Sequence, residues 1–331
     1  MKKQRDVSLD IASGFCLIIV ILGHIICFCK TAINLYVIVD FFCFYLAFFF
    51  FKAGLCFRTK DIKVELKSSF LRLIVPFICF SIIGITLKII NDWNVVEWMD
   101  IRSSVILNCK NAITDTINMG APSANLALWF LPSLYVCRLI MNYLVRLNRQ
   151  YLLFIAIVIP VIYNLLLFYS LIPEEAYYCR NIPLGCSLML YGFLLKKHVY
   201  SQFVMFSSFV VYIFFLFIFP SHLSVFAGRP QTGLFSTGFL ALLTGCITIY
   251  GGGNFLKKFK CGKILVYLGS NSMPYYCFHW IILMVINSYV ELYGLDPYFK
   301  MICMIISSMV ILPIVDFVTK RKTIRFIIGG N

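Results

Sequence analysis

Two of the chain's four histidines fall inside long apolar runs. His24 sits near the end of the run that begins at Leu9, in the string Leu22-Gly23-His24, and His279 lies in the run 272–292. An imidazole titrates near pH ~6.5 and can take up and return a proton, or it can carry an acyl group as a nucleophile. Within a bilayer such a ring is costly, so a functional site is the first hypothesis, with a bond to a neighbouring helix as the alternative for both. His198 follows Lys196-Lys197 and His222 follows Pro220, both in connecting segments, and both read as exposed. Asp40 lies near the end of its apolar run that shares a side with His24, so the two are able to pair. Asp10 stands roughly 20 Å from His24 along a helix rising ~1.5 Å per residue. It therefore reads as a helix N-terminal residue or an ion-pair member. Lys52 either snorkels to the membrane surface near Arg58 or acts as an amine at depth. Trp129, in Leu128-Trp129-Phe130-Leu131, is either an interfacial belt residue or a stacking platform.

The elements that must position these groups follow from composition. Of 331 residues, 61% are hydrophobic and 13% charged, whereas a globular chain carries about a quarter charged residues. The pattern predicts an all-α, polytopic integral membrane protein built as one bundle of about ten transmembrane helices, with residues 1–331 as a single domain. The spans are expected at 9–29, 35–57, 70–91, 125–145, 151–171, 181–196, 202–220, 232–251, 272–292 and 299–319. Residues 92–124 are expected to be a long external loop, and 261–271 a short surface helix ended by Gly269. The net charge of +15 would suit nucleic acid, but its placement argues for orientation instead. Lysines and arginines concentrate before the first span, after even-numbered spans and at the C-terminal end. The positive-inside rule then puts both termini in the cytoplasm. Membrane lipids, and no nucleic acid, are the expected surroundings. The 14 cysteines make no CxxC pair, and no metal site is expected.

Several strings, in order, resemble the membrane acyltransferase-3 family, in particular its fucose-4-O-acetylase-like branch. Leu9-Asp10-Ile11-Ala12-Ser13-Gly14 through Gly23-His24 is similar to the family's first span. Phe48-Phe49-Phe50-Phe51-Lys52-Ala53-Gly54 resembles its Phe-rich stretch, and Arg72-Leu73-Ile74-Val75-Pro76-Phe77 its basic-apolar-Pro start of span three. Leu128-Trp129-Phe130-Leu131 resembles its Trp-Phe-Leu signature. Leu268-Gly269-Ser270-Asn271-Ser272, followed by Tyr275, Tyr276 and His279, is similar to its Gly-x-x-Ser…Tyr-x-x-His segment. The sequence departs from the pattern at Ser13, where many relatives carry a basic residue, at Tyr45-Leu46-Ala47 and at Ala53. Lys52 is the cation available to stand in near Ser13.

The resemblance implies an O-acetyltransferase of the cell inner membrane. It would move an acetyl group from acetyl-CoA to a carbohydrate hydroxyl of a surface or exported glycan. Under that reading His24 is the general base or acyl carrier, and Asp40 orients it or binds sugar hydroxyls. Arg72, Lys67, Lys63 and Arg58 hold the CoA phosphates, and Trp129, His279 and Tyr275 shape the acceptor pocket. A transporter or flippase for a polar solute or lipid-linked glycan fits the intramembrane His, Asp and Lys equally well on composition alone, and a non-catalytic accessory protein stays open beside it.

Overall fold

The computed structural model describes residues 5–29, 36–95, 101–172, 177–199, 201–220, 222–225, 229–321 and 325–329. Among them are fourteen α-helices: α1 Val7–Cys29, α2 Tyr36–Phe41, α3 Ala47–Leu55, α4 Ile62–Ser69, α5 Val75–Val95, α6 Ile101–Met119, α7 Phe130–Leu144, α8 Arg149–Phe168, α9 Tyr177–Leu195, α10 Gln202–Ile218, α11 Phe235–Leu256, α12 Lys260–Ser270, α13 Ser272–Leu292 and α14 Pro297–Thr319. A two-stranded antiparallel hairpin, β1 His222–Ser224 and β2 Arg229–Thr232, is the sheet among these residues. Six helical stretches are long and apolar enough to cross a bilayer: Val7–Cys29, Ile62–Asp92, Arg102–Leu144, Arg149–Phe168, Phe235–Leu256 and Pro297–Thr319. The chain is thus an all-helical, multi-pass membrane protein. α10 is apolar but shorter, at 17 residues.

The chain divides into two compact units. The first comprises residues 1–20, 38–65 and 136–272, the second 21–37, 66–135 and 273–331. α1 contributes its N-terminal part to the first and its C-terminal part, with His24, to the second.

In the first unit the Phe-rich helix α3 is sunk among α9 and α11. Phe48, Phe50 and Phe51 are fully buried. The backbones of α3 and α9 touch: a Cβ on Gly54 would strike the Met189 carbonyl, and one on Gly192 the Phe51 carbonyl. α12 is laid against the start of α1 in the same way, with Gly14 against the Leu265 carbonyl and Gly269 against the Asp10 carbonyl. Fully buried Glu65 bonds Arg138 at 2.8 Å and Lys60 at 3.3 Å, and a buried ion pair so supported holds α4 to α7.

The spans expected at 181–196 and 272–292 are helices, α9 and α13, that fall outside the six stretches, and other expected elements differ in form. The span expected at 35–57 is broken into α2, a 3-10 turn at Cys43–Tyr45, and α3. The Tyr212 hydroxyl takes the Phe41 carbonyl, and the Tyr45 amide turns to Phe42 instead, at 3.0 Å. Phe42, at φ −104° and ψ 34°, leaves the helical range, and the α-helical ladder is interrupted there. The region 92–124, expected as a loop, holds the 19-residue helix α6. Its many polar residues hid it from a hydropathy reading, but they bond within the helix and to its neighbour, as where Asn108 donates to the Ser104 carbonyl one turn back and to Asp92 of α5. The helix expected at 261–271 is present as α12.

In the second unit, α5 follows a π-helical turn at Phe70–Ile74 that carries Arg72. A 3-10 segment, Ser123–Trp129, precedes α7 where the fourth span was expected to begin, with Asn125 departing from helical geometry at φ −150° and ψ 68°. Ile25 and Cys29 of α1 pack with Leu283 of α13 and Met304 of α14 in an apolar cluster. This cluster sets the facing of α1 and α13 one turn beyond His24 and His279.

Candidate active site

The second unit brings together His24 of α1 and His279 of α13. His24 Nδ1 lies 2.8 Å from His279 Nε2. The rings are near-parallel, 14° apart, with centroids 5.0 Å apart. His279 has no exposed surface, and its Nδ1 faces two backbone oxygens, Tyr276 at 2.7 Å and Tyr275 at 3.1 Å. These carbonyls belong to the preceding turn of α13, so the helix itself orients the ring. Trp280 stands across His24 edge-to-face, at 5.0 Å and 85°, and Phe28 backs Trp280 at 5.2 Å. His24 is half-buried, and its Nε2 receives no hydrogen bond from the described residues. A neutral imidazole with one nitrogen held and the other open is a proton acceptor in waiting.

The turn of α13 that carries His279 also holds the 3-10 segment. The Tyr276 hydroxyl donates to the Ala127 carbonyl. Asn125 Nδ2 donates to the Cys277 carbonyl at 2.8 Å, and Trp280 Nε1 to the Ser123 carbonyl at 3.3 Å. Trp129, at 5% exposure, closes this segment, its ring edge-to-face with Phe130.

The first unit holds a cleft of ≈ 960 Å³ whose lining includes Arg5, Lys52, Arg58, Lys196 and Lys257 against two carboxylates, Asp6 and Asp10. Asp10 is already paired with Arg5 at 2.5 Å, so the lining keeps a positive excess. Lys52 reaches Ser13, its Nζ donating to Oγ at 2.6 Å, while the Ser13 hydroxyl donates to the Leu9 carbonyl at 2.5 Å. A cleft of this size and sign suits a polyanionic cofactor.

The residues singled out from sequence fall as follows. His24 and His279 come together. The hydrogen bond to His24 expected from Asp40 is made by His279 instead, because Asp40 is half exposed and pairs with His222 at 3.1 Å. His222, expected as a bare loop residue, is therefore a partnered one. Of the four cations expected to hold the donor, Arg58 lines the cleft, Lys63 is exposed on α4, and Lys67 and Arg72 are exposed in the second unit. Tyr275 is buried, and its carbonyl faces His279. Sequence reasoning missed Trp280 and Asn125 and took Arg5, Lys196 and Lys257 only as orientation charges. Trp280's place beside His279 in one run was the signal available for it.

Apolar helices of spanning length define a polytopic membrane protein. The model of the acyltransferase 3 family, described as an acyltransferase domain, matches residues 6–316. The chain therefore belongs to that family of membrane-bound acyltransferases. No curated protein and no solved structure gives a significant match.

Proposed function

We propose that the chain is an O-acetyltransferase of the cell inner membrane that transfers an acetyl group from acetyl-CoA to a carbohydrate hydroxyl of a surface or exported glycan. The observation that carries this reading is the His24–His279 pair. An alcohol is a poor nucleophile at neutral pH, and general-base help is worth about 10²–10⁴ in rate. His24, oriented by His279, supplies that help. Acetyl-CoA, when bound, provides the thioester carbonyl that accepts the sugar oxygen and the thiol that leaves.

The cationic cleft fits the phosphates of the donor. We assign them to Arg58, Lys196 and Lys257, with Lys52 anchored on Ser13, in preference to Lys63, Lys67 and Arg72. Trp129 and Tyr275, buried beside the turn that holds His279, are assigned to the acceptor pocket, and Asp40 is left outside the catalytic set. The cleft gathers Arg5, Arg58, Lys196 and Lys257 from four segments that the charge bias places in the cytoplasm, where the donor is made. That convergence supports about ten spans with both termini cytoplasmic. The family match from 6 to 316 runs through both compact units, which supports one working domain.

The test is transfer of radiolabel from acetyl-CoA to glycan in membranes, beside mass spectrometry of surface polysaccharide with and without the protein. We expect His24→Gln to lower transfer by about 10²–10⁴-fold at unchanged expression. Full transfer by a folded His24→Gln protein, or solute uptake by vesicles without any transfer, would overturn the reading.

A further inference from the structure

We propose that His279 is a positioning residue that locks His24 in its Nδ1–H tautomer, so that Nε2 of His24 is the nitrogen that takes the acceptor's proton. This rests on the reading of His24 as the base. It adds which nitrogen reacts and what holds it.

A carbonyl oxygen only accepts, so Nδ1 of His279, 2.7 Å from the Tyr276 oxygen and 3.1 Å from that of Tyr275, must carry a hydrogen. In a neutral imidazole the other nitrogen is then bare. Nε2 of His279 is therefore an acceptor, and the nitrogen 2.8 Å away, Nδ1 of His24, must be the donor. The remaining nitrogen of His24, Nε2, keeps its lone pair. The opposite assignment requires His279 to be a cation. That ring has no exposed surface, and among the described residues no carboxylate is bonded to it. An unpaired buried charge is far costlier than a neutral ring with both nitrogens satisfied.

The same geometry serves the reaction. Nε2 of His24 takes the hydroxyl proton as the acceptor oxygen bonds to the acyl carbon. As the carbon–sulfur bond breaks, Nε2 returns that proton to the departing sulfur. Between these events His24 is an imidazolium whose Nδ1–H is still donated to His279. The bond becomes charge-assisted and so strengthens while the charge exists. Behind it the two carbonyl oxygens turn their negative ends to the His279 ring. Trp280, crossed over His24 at 85°, holds the plane of the base.

The experiment is nitrogen NMR of histidine-labelled full-length protein in lipid bilayers, with the His24 signals assigned by difference from His24→Gln. We expect a protonated Nδ1 and a bare Nε2. A protonated Nε2 with a bare Nδ1 overturns the proposal. His279→Gln places an amide oxygen where Nε2 accepted, and it should keep the tautomer and stay within roughly tenfold of wild-type transfer from radiolabelled acetyl-CoA. His279→Leu should lose the tautomer preference and about 10²-fold or more of the rate. Equal losses in the two folded variants overturn the positioning role. If neither variant folds, the wild-type spectrum decides alone. Because the spectrum is read without substrate, absence of transfer by the wild-type protein would sink the acetyltransferase reading and leave the tautomer lock standing.

Discussion

At the scale of single residues, the chemistry depends on groups whose roles are set by one neighbour each. Lys52 is the clearest after the histidines. Its ammonium sits on the Ser13 hydroxyl, which in turn spends its own hydrogen on the Leu9 carbonyl. That leaves two ammonium hydrogens for the cleft it lines. A cation on α3 thus stands beside position 13 of α1, where the family resemblance leads one to expect a basic side chain. Lys52→Met should raise the KM for acetyl-CoA by roughly tenfold or more, the worth of a hydrogen bond to a charged group, with a smaller effect on kcat. Steady-state kinetics on purified membranes reads this directly, and an unchanged KM would remove Lys52 from the donor site. Legibility at this scale was uneven. His24 announced itself because an imidazole is out of place in an apolar run. Asp40 was drawn to it because both sit at like ends of their runs. Placement along a run does not determine which way a side chain faces, and Asp40 faces His222.

Among the elements, close helix contacts at glycine set the geometry of the cleft. α12 meets α1 where Gly269 faces the Asp10 carbonyl and Gly14 the Leu265 carbonyl. Asp10 lines the cleft and holds Arg5, so any shift of α12 is felt there. Gly269→Ala forces a methyl group into backbone and should cost about 1–3 kcal/mol, the usual penalty for overpacking. We expect a lower melting temperature in detergent together with a raised KM for acetyl-CoA. A variant as stable as wild type would show that α1 and α12 can separate freely. The glycines stand openly in the sequence, yet their contacts do not, because a close approach needs a partner on a segment far away along the chain. Long apolar runs such as α1, α8 and α14 were readable from hydropathy. α6 was not, since its polar residues outweigh its apolar turns. At the break between α2 and α3 the Phe41 carbonyl meets a tyrosine more than a hundred residues away, a contact beyond the reach of any local pattern.

For the molecule as a whole, the distribution of cations is the organising fact. If the ten-span arrangement holds, exposed Cys261 on α12 faces the cytoplasm and exposed Cys109 on α6 faces outward. In a background with the other cysteines replaced, a membrane-impermeant maleimide should label Cys109 in intact cells and Cys261 only after permeabilisation. The reverse pattern would invert the topology. The family match and the helical, membrane-spanning class were both open to a reader of the sequence, since they rest on strings and composition. The interleaving of segments such as 38–65 and 136–272 into one unit was not, because contacts between distant segments leave no periodic trace. One consequence follows from the cleft's lining. On the proposed reading, four of its cations, Arg5, Arg58, Lys196 and Lys257, serve both orientation and donor binding, so the chain's address and its appetite for donor are written in the same side chains. If that reading is right, a molecule threaded upside down carries its cationic cleft away from the donor, and misinsertion yields a silent protein rather than a misdirected enzyme.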